Sequence, residues 1–489
     1  MKFSLEEILE ATGAKILKNK VGEDDKFTFS TDTRTIKKGE IYLPLKGENF
    51  DGEKFVDKAL ESGAVGFFIT KEKAKSKKRY GGIEVWMYGM VEADNQAKKP
   101  FIYTSNPPTL PNIVLQVKNT LTAYLQLANF YRKKINPITV AITGSSGKTT
   151  TKEMAFCVAC EKFKTHKSEL NFNNEIGLCK TILSMPDDTE VLILEMGMRG
   201  LGEIELLSKY SQPDISIIAN VGTAHIGRLG SRENVAKAKC EIVKYMKENG
   251  TLIAHEDDLI KKEKGKRKKE KEEEEPIYFS LDKVNILNRS IGYSKFEYKN
   301  HEYELNIEGD YNIQNSLAVI EMGLKLGMDE NDIASGLRKY SPIEKRWEVQ
   351  EIKGLKIIND SYNANPDSMQ AAIKTVLDVY TSPLLLVLGD MGELGKNEVD
   401  YHKEIGEFLA KNIKQNVNVI TVGKLANEIT EVLNKNGGFS KNFENNLQTS
   451  RYILDNVKIG TTIVLKASRS MKFEEIIDEV KREKQKGKG

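Results

Sequence analysis

The sequence predicts an α/β protein of three domains: a small mixed α/β N-terminal domain, a central parallel-sheet domain around a phosphate loop, and a C-terminal Rossmann-like, doubly wound domain. Three observations predict it. Two stretches alternate uniformly apolar strands with helical segments, the pattern of parallel sheets covered on both faces. VAITGSSGKTTTKE, residues 140 to 153, runs from an apolar strand through a Gly- and Ser-rich turn into a helix. At 489 residues the chain is also long enough for several cores.

In chain order, KFTFSTDTR and EIYLPLKG read as strands joined by the turn-like IKKG, and EKFVDKALESGA reads as a helix ending at Gly63. From about 81 to 113 the pattern breaks down, and the Pro- and Asn-rich KKPFIYTSNPPTLPN reads as loop or linker. TLTAYLQLANFYRKK is an amphipathic helix leading into the middle region, where PITVAIT, EVLILEMG and DISIIANVG are apolar strands. Residues 261 to 275 form a charge run of mixed sign that neutralises itself, which predicts a solvated surface segment. From about 342, LKIIND, PLLLVLGD, NVITVG and TTIVLKAS begin a second doubly wound unit. The expected domains are therefore 1–112 (with 81–112 as linker or insert), 113–341 and 342–489.

Composition narrows the function. Lys and Arg number 74 against 71 Asp and Glu, a balance that argues against a dedicated nucleic-acid binder. No run of about 18 apolar residues occurs, so no membrane span is expected. The N-terminal MKFSLEEILEATGAK lacks the apolar stretch of a signal peptide, and four cysteines in so long a chain suit a reducing compartment. A cytoplasmic protein is expected. The C-x-x-C pair Cys157 and Cys160 lies inside an apparent helix, where buried helix-face thiols are a better reading than metal or redox chemistry.

The phosphate loop carries the first chemical assignment. Gly144, Ser145, Ser146 and Gly147 form a turn whose backbone N–H groups can face an anion, and the following helix N-terminus adds positive potential. Lys148 is placed to reach the β- and γ-phosphates, the Thr149 hydroxyl to take Mg²⁺, and Thr150 follows in the first turn. Ile142 stands where the usual pattern begins with glycine. A chance Gly/Ser turn is the plain alternative, and the ordered succession of strand, loop and helix argues against it. Glu195 ends an apolar strand, where a carboxylate beside a phosphate loop is placed to bind Mg²⁺ or else to cap a helix. His225 lies just past another strand at the same sheet edge.

These segments resemble the Mur ligases over nearly the full length. STDTR and GEIYLPLKGENFDGEKF resemble the domain that holds a UDP-sugar. TGSSGKTTTKE, NFNNEIG, EMGMRGLGEI and NVGTAHIGRLGS resemble the central ATPase domain, and NDSYNANPDSM and LGDMGELG the C-terminal domain. The last two are the most diagnostic for the branch that adds D-alanyl-D-alanine to UDP-N-acetylmuramoyl-tripeptide. The resemblance implies an ATP-dependent ligase acting through an acyl phosphate, with ATP and two Mg²⁺ sites. It also favours a monomer.

By that resemblance Thr149 and Glu195 are metal ligands, His225 supports the second metal, and Lys239 matches a lysine carbamylated by CO₂. From the residues alone Lys239 is a helix-surface lysine. The resemblance further implies that Asn174 serves the nucleotide site, Asn312 and Asn315 the adenine, and Arg346 and Asp360 the ATP from the C-terminal side. Tyr362, Asn363 and Asn365 then lie near the incoming dipeptide, and Ser30, Thr31, Asp32 and Arg34 face the UDP-sugar. Tyr311 stands where the family usually has His, Glu53 follows DG where His is usual, and KASRS replaces KGSR. The rival readings are a relative that adds another residue to the muropeptide, a folylpolyglutamate synthase-like enzyme, a nucleotide switch and an inactive scaffold. The intact Lys148, Thr149, Glu195, His225 and Lys239 set argues against the scaffold.

Overall fold

The structure, a computed structural model, describes residues 1–47, 50–70, 78–80, 83–85, 111–267, 275–381 and 383–482. Its chain forms two units of interleaved sequence. The first takes Met1–Pro137 and Glu175–Thr189, the second Ile138–Asn174 and Glu190–Gly489.

In the first unit, helix Leu5–Thr12 begins with a capping box between Ser4 and Glu7 and ends at Gly13 in the left-handed region. A five-stranded sheet runs in the order Lys15–Asn19, Ile113–Val117, Gly66–Thr70, Ile41–Tyr42, Phe29–Ser30. Only the Lys15–Asn19 edge is antiparallel. The strands expected from KFTFSTDTR and EIYLPLKG shrink to two residues each; after Phe29–Ser30 the Asp32 side chain accepts from Arg34 N and turns the chain out of the ladder. Ile113–Val117 is an inner strand of this sheet, so the first unit runs past the expected boundary at 112. Helix Thr120–Ile135, capped by Asn119, belongs to this unit and packs on helix Glu175–Ser184. The Tyr131 hydroxyl donates to Met185 O at 2.7 Å.

The second unit holds two large sheets. The first is wholly parallel, in the order Thr165–Lys167, Val191–Glu195, Ile138–Thr143, Ile215–Ile218, Thr251–His255, Ile277–Phe279. Val191–Glu195 is buried at every residue, as a strand covered on both faces must be. Each of its Val, Leu and Ile side chains contributes about 1.5–3 kcal/mol by burial. The chain leaves Ile138–Thr143 toward one edge and returns to its other side, so the strand order reverses beside that strand. Ligands bind at such a switch point, outside the strands' carboxyl ends. The second sheet runs Glu348–Ile352, Leu355–Asn359, Thr462–Lys466, Leu384–Gly389, Val417–Val422, Ser440–Phe443, with only the first strand antiparallel. A three-stranded antiparallel sheet, Asn285–Ser290, Tyr293–Tyr298 and His301–Leu305, completes the unit.

The start of the charge run extends helix Asp258–Arg267, and one residue departs from the expected solvated surface: Lys264 is buried. Residues 268–274, like nearly all of 81–110, lie outside the described residues. Cys157 is half-buried and Cys160 exposed, because the helix ends at Ala159 and Cys160 is its cap rather than a core position.

Candidate active site

The phosphate loop joins strand Ile138–Thr143 to helix Lys148–Ala159. Gly147 has φ 74°, and a Cβ there would stand 2.4 Å from Asn315 Oδ1, so this position needs glycine on both counts. Asn220 braces the loop. Its Oδ1 accepts from Ser145 N and Ser146 N, each at 3.0 Å, and its Nδ2 donates to Ser146 O. Gly222 N donates to the Ser145 hydroxyl. Two loop amides are thereby spent within the protein, and an anion is left the N–H groups of the helix's first turn, which have no intrahelical acceptor. Lys148 lies across its own loop, donating to Gly144 O at 2.8 Å. Thr149 and Thr150 are buried in the same turn.

Glu195 ends its strand beside this loop and is 3 % exposed. Its Oε1 accepts from Asn173 Nδ2 at 3.1 Å, while its Oε2 is buried without a hydrogen-bond partner. A buried carboxylate oxygen left so is costly and marks a place for a cation. The residues present therefore fit Mg²⁺, with Thr149 and Glu195 as the protein's oxygens. It is Asn173 that meets Glu195; Asn174 is exposed.

Lys239 overturns the reading of its helix position. It is 1 % exposed. Burial, and then the Lys148 charge, hold its amine well below the usual lysine range. Lys148 is itself held down, first by burial, against the pull of Glu195 and with a push from Arg346. Glu195 and Glu393 are the opposing charges felt by Lys148.

The carboxyl ends of the second sheet bring further groups to this place. His225 caps helix Ile226–Leu229, and its Nδ1 lies 2.5 Å from Glu393 Oε2. That pairing leaves Nε2 as the ring nitrogen not engaged by Glu393. Gly227 N donates to Glu393 O at 3.0 Å. Asp367 Oδ2 accepts from Thr223 N at 2.7 Å and Thr223 Oγ1 at 2.6 Å. These contacts clasp the central and C-terminal sheets' loops together. Asp360 is gripped by the buried Lys466 at 2.7 Å. Arg346 stacks on the Tyr362 ring at 3.9 Å, with Arg469 at 5.0 Å from the same ring. Asn363 is exposed, whereas Asn365 Oδ1 is committed to capping helix Pro366–Val379. Asn312 and Asn315 are buried on helix Asp310–Lys325, and Asn312 Nδ2 donates to Glu308 O. Tyr311 packs edge-on against Trp347.

In the first unit, Ser30 Oγ donates to Asp32 O, Thr31 follows in the same turn, and Asp32 pairs with Arg34 at 2.7 Å. That pairing pushes the Asp32 carboxyl down to about 2. Glu53 is buried and accepts from Thr70 N and Oγ1, a structural role. It borders a cleft with Lys46, Asp51, Lys118, Asn119 and Thr120.

Sequence reasoning passed over Asn220, Asp367, Glu393 and Lys466. Each stands in a segment already quoted, NVGTAH, NPDSM, LGDMGELG and KASRS or its flank, yet each acts on a residue far away in sequence.

A braced phosphate loop at a topological switch point, with Lys148 at the loop and a carboxylate ending the adjacent strand, defines a nucleotide-using enzyme of the phosphate-loop class. The Mur ligase middle domain matches residues 142–323, and the Mur ligase glutamate ligase domain matches residues 345–469. The chain belongs to the Mur ligase family. It is 36% identical over 471 residues, covering 92% of both chains, to UDP-N-acetylmuramoyl-tripeptide--D-alanyl-D-alanine ligase of Bacillus subtilis strain 168. It shares its fold with MurF from Acinetobacter baumannii (TM-score 0.81, 24% identity, covering 98% of this chain and 99% of that one). The MurF ligase of Thermotoga maritima, solved in complex with ADP, superposes with TM-score 0.74 at 25% identity, covering 94% of this chain and 98% of that one.

Proposed function

We propose that this ligase joins D-alanyl-D-alanine to UDP-N-acetylmuramoyl-tripeptide, using ATP to make the tripeptide's terminal carboxylate an acyl phosphate. The observation that carries the reading is the phosphate loop braced by Asn220, with the buried Glu195 ending the neighbouring strand and its Oε2 left without a hydrogen-bond partner. A carboxylate is a poor electrophile until it gains a leaving group. Transfer of the γ-phosphoryl group supplies one, and the dipeptide's amine then displaces phosphate.

The chain's residues divide this work. First-turn amides hold the phosphates, and Lys148 leaves Gly144 O to meet the charge that develops on the transferring group. Mg²⁺, held by Thr149 and Glu195 and at a second site by His225, supplies charge neutralisation when bound. Lys239, whose buried amine is held well below the ordinary lysine range, suits addition of CO₂, since the neutral amine is the form that makes a carbamate; the resulting anion would bind the second metal. Asn312 and Asn315 serve the adenine side. Arg346 and Asp360 close on the nucleotide from the C-terminal domain, with Tyr362 as the platform that orients Arg346. Asn363 serves the dipeptide, and Ser30, Thr31, Asp32 and Arg34 the UDP-sugar. The protein works as a monomer in the cytoplasm, where ATP and nucleotide sugars are made. Phosphate release from ATP with UDP-N-acetylmuramoyl-tripeptide tests the reading: release should depend on D-alanyl-D-alanine. Equal release without the dipeptide, or with glutamate and a folate acceptor instead, would overturn it.

A further inference from the structure

Lys152 lies one turn beyond the phosphate loop, on helix Lys148–Ala159, and the chemistry above leaves it unused. Its side chain is fully buried. The ammonium stands 3.0 Å from Glu153 Oε1, 3.4 Å from Leu170 O and 3.7 Å from Glu195 Oε2. Glu153 pairs in turn with Lys167. A buried ammonium is costly unless its charge is matched. Here Lys167, Glu153, Lys152 and Glu195 alternate in sign, and the row is neutral without any metal.

The two carboxylates are held differently. Glu153 receives both ammoniums at close range. Glu195 keeps Oε2 free of hydrogen bonds, with Lys152 near enough to balance its charge and too far to bond it. Among the described residues no three His, Cys, Asp or Glu side chains converge to hold a metal. A divalent ion on Oε2 would therefore find few protein ligands and a like charge close by in a low-dielectric place.

We propose that Lys152 is an electrostatic placeholder. It balances Glu195 in the nucleotide-free enzyme and keeps the site from holding a divalent cation of its own. The metal then enters with the nucleotide's phosphates, whose negative charge offsets Lys152. The proposal rests on the reading of Glu195 as a metal ligand.

Mn²⁺ binding to the full chain, followed by electron paramagnetic resonance with and without a non-hydrolysable ATP analogue, tests it. Lys152→Met should bind Mn²⁺ without nucleotide at least about tenfold more tightly than wild type. The gain should be smaller with the analogue present, and Lys152→Arg should behave as wild type. A folded Lys152→Met protein with unchanged or weaker nucleotide-free Mn²⁺ binding would overturn the proposal. Glu195→Gln separates the two readings. If it leaves Mn²⁺ binding with the analogue intact, the assignment of Glu195 fails; if it abolishes that binding while Lys152→Met changes nothing, only the role of Lys152 fails. Should Lys152→Met not fold, the double variant Lys152→Gln with Glu153→Gln removes the pair together and faces the same criterion.

Discussion

Gly227→Ala is the sharpest probe of how the C-terminal loops complete the site. A Cβ at this position would stand 2.4 Å from Gly395 N and 2.7 Å from both Glu393 O and Leu394 C. All three are backbone atoms, so no side chain can swing aside. The residue lies in helix Ile226–Leu229 without a positive φ, and alanine there is locally favourable by up to about 1 kcal/mol. The expected harm is therefore purely one of contact between segments far apart in the chain. Overpacking of this kind costs about 1–3 kcal/mol. It would part Gly227 N from Glu393 O and shift Glu393 away from His225. If the clasp must be closed for ligation, that cost appears as a fall of about 5- to 150-fold in kcat/KM. The phosphate loop is untouched, so ATP-analogue affinity measured by calorimetry should stay within about twofold. Ligation within twofold of wild type, in a protein with an unchanged melting temperature, would refute the idea that this contact assembles the site.

Lys148→Ala should lower ligation by about 10²–10³ or more while the protein stays folded, because the cation meeting the transferred phosphoryl group is lost; activity within a few-fold of wild type would sink the phosphate-loop assignment. Lys239→Ala should be nearly inactive and partly restored by acetate or formate, which can take the vacated anionic place; full activity without either would return Lys239 to a packing role. His402 is wholly buried, accepting from Met391 N on Nε2 and facing Glu398 O with Nδ1, and burial pushes its pKa below the ordinary 6.5. The unfolded chain thus binds a proton that the folded chain refuses, so stability is full above about pH 6.5 and declines as pH falls from there toward the lowered folded value. Urea midpoints at pH 7.5 and 5.5 should differ less in His402→Gln than in wild type, and an identical difference would discard His402 as the source.

The phosphate loop was legible in the sequence because strand, glycine turn and helix are all local, and so was Glu195, which ends its strand. The strands legible as uniformly apolar runs are inner strands of the two large sheets, whereas the edge strands Thr165–Lys167 and Glu348–Ile352 carry no such signal. Lys239 could not be placed from the residues alone: two residues from Lys237, it looks like surface, and its burial comes from elements distant in sequence. The same holds for Lys152, whose environment is made by Leu170, Glu195 and Lys167. Asn173 and Asn174 are indistinguishable by composition, and only the turn before helix Glu175–Ser184 decides which one faces Glu195. The segment from Ile113 to Pro137 belongs to the first unit and not to the central domain the sequence predicts, because an apolar strand carries no mark of the sheet it will join.

The first unit is assembled from two pieces of chain with part of the nucleotide-binding sheet threaded between them. Helix Glu175–Ser184 is encoded inside the ATPase segment yet spends its apolar face on helix Thr120–Ile135, with Tyr131 tied to Met185. A gene fragment beginning at residue 138 would translate that helix without its mate and leave the apolar face wet; one ending at 137 would expose the other half. The two units therefore cannot be inherited, swapped or expressed as cassettes cut at a single point. Recombination that respects this architecture must exchange 1–137 and 175–189 together, and a protease nicking between them would leave fragments held by packing rather than by the backbone.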